Sequence, residues 1–173
     1  PEAQPTAQNL TSAKILRNDT IYIDGERFDC KVIQVATAGP RIMTDLPLRH
    51  VRVIDFGQYI AGPAAAMMLA DQGAEVIHVD PPGGPRWESP AAAMLNRRKK
   101  CIALDLKEAA GLETAHRLIA DADLMIENFR PGVMARLGLG PKATRALNPA
   151  LIYVSLPGFA SSDRELAALP AWE

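Results

Sequence analysis

Residues 51–80, which read VRVIDFGQYIAGPAAAMMLADQGAEVIHVD, decide the fold class of this chain. An apolar run at 51–56 leads into a loop beginning at Gly57, and a helix-prone, alanine-rich segment follows at 64–70. Gly73 stands where a helix C-cap is expected, and a second apolar run occupies 75–80. A strand, a helix and a strand in this order are typical of a βαβ unit with parallel strands.

Three more apolar runs continue this pattern, at 101–106, 123–126 and 151–155. The centres of the five runs lie about 25 residues apart, which leaves room for the helical crossover that parallel strands need. Residues 107–122 carry apolar side chains at helical spacing, and Pro141 can begin a short helix that ends before Pro149. We therefore predict an α/β fold with a Rossmann-like, doubly wound, mostly parallel sheet.

The sequence pattern of the first 48 residues differs from that of the rest of the chain. β-prone runs at 20–23 and 26–33 flank Asp24-Gly25, a dipeptide that favours a tight hairpin turn. Residues 38–47 resemble a linker, with Gly39 and Pro40 near its start and Pro47 at its end. We predict an N-terminal arm at 1–48, with a β-hairpin and a linker, followed by the α/β region at 49–173.

Composition argues against several functional classes. The net charge of −1 gives the 173-residue chain no overall attraction to nucleic acid or to an anionic membrane. No apolar run approaches the ~20 residues that span a bilayer. Cys30 and Cys101 have neither metal-site nor redox spacing. We therefore expect a cytoplasmic protein with reduced thiols and no metal, membrane or nucleic-acid partner.

The loop after the first run is a candidate anion site, because doubly wound sheets bind ligands at the carboxyl ends of their strands. Gly57 and Gly62 allow close backbone approach, and the following helix directs its first N–H groups toward the loop. The residues after Gly62 exclude a Walker A loop, and the two glycines are too far apart for a dinucleotide fingerprint. Asp80 nevertheless stands where a ribose-binding acid is found, so a nicotinamide site and a purely structural turn remain alternatives.

Two further loops carry candidate ligand contacts. The cationic run at 97–100 is either a solvated face or, together with Lys107, a rim that attracts phosphate. The proline- and glycine-rich segment at 80–87 predicts a stiff, exposed connection without a helix, in which Arg86 and Trp87 could contact a ligand.

The segment ENFRPG at 127–132 follows the fourth run and therefore lies at the same edge of the predicted sheet. Arg130 and Arg136 could face one anionic group, since guanidinium groups bind phosphate in a planar, bidentate manner. Pro131 suits the first position of a helix, and Gly132 lets the backbone approach a ligand. The alternative is a capping turn with two solvated arginines.

These segments together resemble family III (CaiB/BaiF-type) CoA transferases, a group that includes α-methylacyl-CoA racemases. The resemblance covers about residues 49–173, and its most specific block is ENFRPG. The matching segments are VIDF (53–56), AGP (61–63), LADQGAEVI (69–77), DPPG (80–83), NRRK (96–99), LDLK (104–107), ADLMIENFRPG (122–132), LG (137–138), LNP (147–149) and GF (158–159).

The resemblance implies a large domain that binds coenzyme A, used as acyl-CoA together with a carboxylic acid, and an interlocked homodimer. By position, the implied coenzyme A contacts are Ile60, Ala61, Leu104, Lys107, Asn128, Phe129, Arg130 and Arg136, with a further stretch near Pro170, Ala171 and Trp172. The family nucleophile is an aspartate that forms a mixed anhydride, and the resemblance places it beyond residue 173. We therefore expect this chain to be an incomplete, inactive part of the enzyme or to associate with the remainder, and we predict no catalytic residue within it.

Two departures from the family pattern and three alternative functions accompany this interpretation. Pro81 stands where transferases often have a basic residue, and the arm at 1–48 has no counterpart in compact members. The alternatives are a non-catalytic coenzyme A-binding or interaction module, a racemase-like isomerase, and part of a nicotinamide-dependent oxidoreductase.

Overall fold

The computed structural model describes residues 15–23, 26–33, 46–87 and 89–159, with single positions at 166 and 169. Within them one sheet contains seven strands, which are β1 (Ile15–Ile23), β2 (Glu26–Ile33), β3 (Arg52–Asp55), β4 (Glu75–Asp80), β5 (Lys100–Ala103), β6 (Leu124–Glu127) and β7 (Ile152–Ser155). The helices between them are α1 (Ala61–Asp71), α2 (Pro90–Leu95), α3 (Ala109–Ala120), α4 (Val133–Arg136) and α5 (Pro141–Leu147).

The five strands that the sequence predicts form a parallel sheet in the order β5-β4-β3-β6-β7. The chain therefore winds outward from β3 in one direction through β4 and β5, and then in the other through β6 and β7. The winding direction reverses between β3 and β6, and this switch point is where doubly wound sheets bind ligands.

Alternate residues of the central strands face two helical layers. Val53 and Ile126 face the layer of α1, whereas Ile54 and Met125 face the layer of α3. All four side chains are buried, because parallel strands covered on both faces place every residue against apolar neighbours. The prediction of a doubly wound α/β fold is confirmed.

The predicted hairpin is present, and it joins the main sheet. β1 pairs antiparallel with β2 from Ile23 opposite Glu26 onward, and it begins at Ile15, earlier than the run at 20–23 indicated. β2 pairs antiparallel with β5 through Lys31 opposite Cys101 and Val32 opposite Lys100. The turn residues Asp24-Gly25 lie outside the described residues, and the division of the chain at residue 48 stays a prediction.

Helix ends follow local sequence signals in most places. Gly73, with φ 101°, follows the C-cap of α1, and Pro141 is the first residue of α5, both as predicted. The sequence predicts no helix at 80–87, and none forms there, but α2 follows at Pro90–Leu95, where no element was predicted. Pro90 begins it, and the Ser89 side chain accepts a hydrogen bond from the backbone N–H of Ala92 at 3.1 Å.

Candidate functional site

The loop between β3 and α1 lies at the switch point and is closed by two glycines. A Cβ atom built on Gly57 would lie 2.6 Å from the Cα of Gly62, so no larger residue fits either position without moving the loop. Tyr59, Ile60 and Ala61 are left exposed at its tip, and Tyr59 has a φ of 62°. The loop thus presents backbone and small side chains at the ligand-binding edge, with the N-terminus of α1 behind them.

Asn128 joins this loop to the end of β6. Its Oδ1 accepts a hydrogen bond from the backbone N–H of Gln58 at 2.7 Å, and its Nδ2 donates to the backbone C=O of Gln58 at 2.8 Å. The ENFRPG segment and the glycine loop therefore meet across the switch point, as their positions in the sequence predict.

Glu127 fixes the direction in which the ENFRPG segment leaves the sheet. Its buried carboxylate accepts a hydrogen bond from the backbone N–H of Phe129 at 2.8 Å, and the hydroxyl of Tyr153 donates to it at 3.5 Å. Burial and the neighbouring Glu127 carboxylate raise the pKa of Tyr153, so this hydroxyl stays protonated. The Phe129 ring packs, half-buried, against the core on the α3 side.

Arg130 and Arg136 are both exposed on the turn that follows. The turn is made by Gly132, whose φ of 81° is left-handed, and α4 begins only at Val133. The prediction that Pro131 is the first residue of a helix is therefore wrong, because the left-handed Gly132 intervenes between them. A guanidinium nitrogen of Arg136 lies 3.3 Å from a Cβ built on Gly132, so Arg136 folds back over the turn that starts at Arg130.

The other predicted coenzyme A contacts, Leu104 and Lys107, follow β5 and lie on the far side of β4 from the switch point. The side chain of Leu104 is in the core, and its N–H donates to the backbone C=O of Asp80 at 3.0 Å. Lys107 is exposed. The structure therefore places Ile60, Ala61, Asn128 and the ENFRPG turn together, and Leu104 and Lys107 at some distance along the same edge. Pro170, Ala171 and Trp172 lie outside the described residues.

A cluster of buried charged side chains supports the glycine loop from below. The ammonium group of Lys99, fully buried, donates to Asp55 Oδ2 at 2.8 Å, to the backbone C=O of Pro63 at 2.8 Å and to Asn96 Oδ1 at 3.2 Å. The other oxygen of the Asp55 carboxylate accepts a hydrogen bond from the Gly57 N–H at 2.8 Å. Lys99 thus links the last residue of β3 with the first turn of α1 and the end of α2.

His78 completes this cluster between two carboxylates. Its Nδ1 lies 2.9 Å from Asp55 Oδ2 and its Nε2 lies 3.2 Å from Asp80 Oδ1. Burial alone would lower the pKa of His78, but hydrogen bonds and charge from Asp55 and Asp80 raise it to about 9. Burial would raise the pKa of Asp55, and the hydrogen bonds and positive charges of His78 and Lys99 hold it below its usual range. The cluster therefore pairs a protonated His78 with an ionised Asp55 at neutral pH.

The cationic run at 97–100 is only partly exposed. Lys99 is buried in the cluster, Arg97 pairs with Asp71, and Lys100 donates to Glu75 Oε1 at 2.7 Å. Arg98, with φ 63°, reverses the chain between them and turns Lys99 inward. Neither interpretation describes the whole run, because both treat it as exposed and of its four residues only Arg98 is. A phosphate-attracting rim that includes Lys107 stays a prediction.

A cleft opens between the glycine loop, the segment at 81–87 and α2. Arg86 and Trp87 line it together with Gln58 and Tyr59, and His78 and Asp80 are at its floor. The two residues that the sequence marked as possible ligand contacts therefore border the glycine loop. Among the described residues there is no cluster of His, Cys, Asp and Glu suited to a metal ion, and no helix long and apolar enough to cross a membrane.

Sequence reasoning did not find the buried cluster, although a signal was present. Asp55, His78 and Asp80 interrupt runs that otherwise read as strands buried on both faces. A polar side chain at such a position costs several kcal/mol unless it is paired, on the order of 2–7 kcal/mol for an uncharged group. Polar residues at corresponding ends of neighbouring strands therefore predict a mutual partnership, here joined by Lys99.

Comparisons with known proteins agree on one group. A family model described as CoA-transferase family III matches residues 48–173. The chain is 60% identical over 118 residues to CoA-transferase/lyase DddD of Marinomonas sp., a match that covers 68% of this chain and 14% of that protein. It is 40% identical over 124 residues to succinyl-CoA–D-citramalate CoA-transferase of Chloroflexus aurantiacus, covering 65% and 31%.

A solved structure supports the same grouping. The crystal structure of Rv3272 from Mycobacterium tuberculosis superposes with a TM-score of 0.68 at 41% identity, covering 73% of this chain and 37% of that one. The chain therefore spans between 14% and 37% of the length of these similar proteins.

Proposed function

This chain belongs to CoA-transferase family III, and from that premise we propose that it is the coenzyme A-binding part of an acyl-CoA:carboxylate CoA transferase. The observation that carries the proposal is the meeting of the glycine loop with the ENFRPG turn at the switch point. There, exposed backbone and small side chains at 59–61 stand beside two exposed arginines, Arg130 and Arg136. Coenzyme A offers matching chemistry, with anionic phosphates for the arginines and an uncharged arm for the loop.

The proposed contacts are those implied by the family resemblance, Ile60, Ala61, Leu104, Lys107, Asn128, Phe129, Arg130 and Arg136. Leu104 can take part through its backbone C=O, because its side chain is in the core and its N–H is bonded to Asp80. Lys107 adds an exposed positive charge at the β5 end of the edge. The N-terminus of α1, an eleven-residue helix, adds a favourable field for anions behind the loop.

The proposed reaction needs this part of the protein to keep coenzyme A bound between two half-reactions. An aspartate carboxylate beyond residue 173 attacks the thioester carbonyl carbon of the acyl-CoA, the acyl group moves onto it as a mixed anhydride, and the thiolate of coenzyme A leaves. The thiolate then attacks the aspartyl carbonyl carbon of the anhydride, which releases the donor acid as its carboxylate and leaves an aspartyl-CoA thioester. The acceptor carboxylate attacks that thioester to give a new mixed anhydride and the thiolate, and the thiolate attacks the acceptor's acyl carbon to form the new acyl-CoA and free the aspartate. We assign no catalytic residue to the described residues, and we propose a homodimer in a cytoplasmic enzyme.

Coenzyme A affinity tests the binding role directly. In the intact protein, the double variant Arg130→Ala/Arg136→Ala should bind coenzyme A at least ~100-fold more weakly by calorimetry, because charge-assisted hydrogen bonds contribute about 1.5–3 kcal/mol each and every 1.4 kcal/mol is tenfold in affinity. Arg145→Ala is the matched control, since Arg145 is an exposed arginine in the last turn of α5. Equal affinity in the double variant and the wild type contradicts the phosphate role.

Two assays separate the proposed reaction from its alternatives. Transfer of coenzyme A from an acyl-CoA to an isotopically labelled carboxylic acid supports a transferase. Inversion of an α-methyl stereocentre in an acyl-CoA, without any acceptor acid, would instead indicate a racemase-like isomerase. Binding of coenzyme A without either reaction would indicate a non-catalytic module, and binding of NAD without coenzyme A would indicate an oxidoreductase.

A further inference from the structure

We infer that Asn128 is a positioning residue, which holds the glycine loop in its ligand-binding shape and acts on coenzyme A only through that loop. The inference rests on the proposed function, because it concerns how the coenzyme A site is built. It changes the role of Asn128 from a ligand contact, as the family resemblance implies, to a support for Gln58 and the exposed tip at 59–61.

The two ends of the Asn128 amide are both occupied by one residue. The Gln58 N–H donates to Oδ1 at 2.7 Å, and Nδ2 donates to the Gln58 C=O at 2.8 Å. A carboxylate in the same place could accept from the N–H but could not donate to the C=O, and an alkyl side chain could do neither. The position therefore requires an acceptor and a donor side by side, which an asparagine supplies.

These bonds replace backbone pairing that the switch point interrupts. The last backbone hydrogen bond between the β3 and β6 segments runs from the Phe56 N–H to the Ile126 C=O at 2.9 Å. Beyond it β3 leads into α1 on one face of the sheet, while the chain after β6 turns away. The Gln58 N–H and C=O would then lack partners from the neighbouring strand, and the Asn128 side chain supplies both.

The opposite side of the loop is held by the buried cluster. Asp55 accepts a hydrogen bond from the Gly57 N–H, and Lys99 holds Asp55 and the Pro63 C=O. Residues 57 and 58 are thus fixed from two directions, and a Cβ built on Gly62 would lie 3.4 Å from Asn128 Oδ1. What remains free to meet a ligand is the exposed tip at 59–61, whose position depends on both supports.

The two arginines that follow Asn128 differ from it in this respect. Arg130 and Arg136 are exposed, and neither forms an ion pair with any described residue. Their guanidinium groups are therefore available to a ligand, whereas one N–H and one oxygen lone pair of the Asn128 amide are already used by Gln58. This part of the chain therefore combines two arginines that can bind a ligand with an asparagine that supports the loop.

Hydrogen exchange in the ligand-free protein tests the inference without any need for coenzyme A. In the unmodified protein, NMR should show a protected Gln58 N–H and a protected Asn128 Nδ2–H, each exchanging at least ~10-fold more slowly than in an exposed loop. Asn128→Ala should speed Gln58 N–H exchange by ~10-fold, and Asn128→Asp, which keeps the acceptor for this N–H but loses the donor to the Gln58 C=O, should speed it by a smaller factor.

Affinity measurements connect the loop to its ligand. Asn128→Ala should weaken coenzyme A binding about 10-fold, in step with the faster exchange. Arg130→Ala should weaken binding with Gln58 exchange unchanged. Asn148→Ala is the matched control, because Asn148 Nδ2 also donates to backbone C=O groups, of Ile119 at 3.1 Å and Ala122 at 2.7 Å, away from the ligand edge. It should change neither Gln58 exchange nor affinity.

Several results would overturn the inference. Weaker binding by Asn128→Ala with unchanged Gln58 exchange would make Asn128 a direct contact, and faster exchange with unchanged binding would separate the loop from the site. If Asn128→Ala does not fold, an unprotected Nδ2–H in the unmodified protein overturns the inference by itself. If the unmodified protein does not bind coenzyme A, the proposed function fails, and exchange alone decides whether Asn128 holds the loop.

Discussion

Lys99 shows how strongly one residue can depend on a partner that is distant in sequence. Its ammonium group is fully buried and pairs with Asp55, 44 residues earlier in the chain. Removing one member of a buried charge pair leaves the other without compensation, which costs about 3–5 kcal/mol. We therefore expect Lys99→Met to lower the free energy of unfolding by about that amount in urea denaturation.

The neighbouring Lys100 provides the control for this prediction. Lys100 pairs with Glu75 at 2.7 Å, but both side chains are about one third exposed, at 32% and 36%. A pair of this kind contributes about 0–1 kcal/mol, so Lys100→Met should cost little. Equal losses of stability in the two variants would show that the burial of Lys99 has no special importance.

His78 makes the stability of the protein depend on pH in a particular direction. Its pKa is raised from 6.5 to about 9, so between these values the folded state holds a proton that the unfolded state has released. The contribution of His78 to the free energy of unfolding should be complete below pH 6.5 and fall by about 1.4 kcal/mol per pH unit toward pH 9.

The His78→Gln variant separates this effect from that of other groups that titrate in the same pH range, such as cysteine thiols. Denaturant unfolding of both proteins between pH 6 and pH 9.5 gives the difference in slope. Parallel curves for the variant and the wild type would mean that His78 does not carry the extra proton in the folded state.

At the scale of single residues, the sequence predicted which segments share the carboxyl edge of the sheet better than it predicted the contacts that individual side chains make there. Asn128 was predicted to contact coenzyme A because the family resemblance implies it, but its hydrogen bonds with Gln58 span 70 residues. Lys99 was misread because a run of cations is usually solvated. Its inward turn depends on the left-handed Arg98 and on acceptors contributed by β3, α1 and α2, none of which a local pattern reveals.

The glycine loop is the element whose shape depends most on an absent side chain. A Cβ on Gly57 would meet the Cα of Gly62 at 2.6 Å and Asp55 Oδ1 at 2.8 Å. Gly57→Ala should therefore force the loop open, lower the free energy of unfolding by about 1–3 kcal/mol, as overpacking does, and weaken ligand binding. Thermal unfolding and calorimetry measure the two effects.

Gly84→Ala is an informative comparison on the neighbouring loop. A Cβ there would have nothing within 4 Å, but Gly84 has a φ of 99°. The expected cost is therefore only that of placing alanine in a left-handed conformation, about 1–2 kcal/mol, without loss of binding. If both variants bind coenzyme A as well as the wild type, the close approach of Gly57 to Gly62 is not needed by the site.

Elements with strong signals within their own sequence were predicted correctly. A glycine follows α1, α3 has apolar residues at helical spacing, and a proline begins α5. All three helices form where the sequence predicts them. α2 was not predicted because it has six residues and is preceded by prolines and glycines that indicate a loop. The prediction that Pro131 begins a helix was wrong because the left-handed Gly132 follows it. Glycine adopts left-handed and right-handed conformations about equally readily, so the sequence does not show which one occurs.

For the whole molecule, the regular spacing of five apolar runs was sufficient to predict a doubly wound parallel sheet. The spacing reflects a physical requirement, since each parallel strand needs a crossover long enough to return to the same end of the sheet. The same reasoning could not predict that the hairpin joins this sheet. Its pairing of Lys31 with Cys101 links residues far apart in sequence, and nothing near either residue specifies the partner.

The two hydrogen bonds between Gln58 and Asn128, which form a bridge between the loop and the end of β6, also have a consequence for the order of folding. β3 and β4 pair over a separation of 23 residues, whereas the bridge closes a segment of 70. Contacts of short separation close with a smaller loss of chain entropy, so the β3-α1-β4 unit can form while the chain near Asn128 is still unstructured. The glycine loop is therefore completed late, when β6 docks beside β3. A partial opening that releases β6 would by the same route remove the ligand site while most of the first unit is still folded.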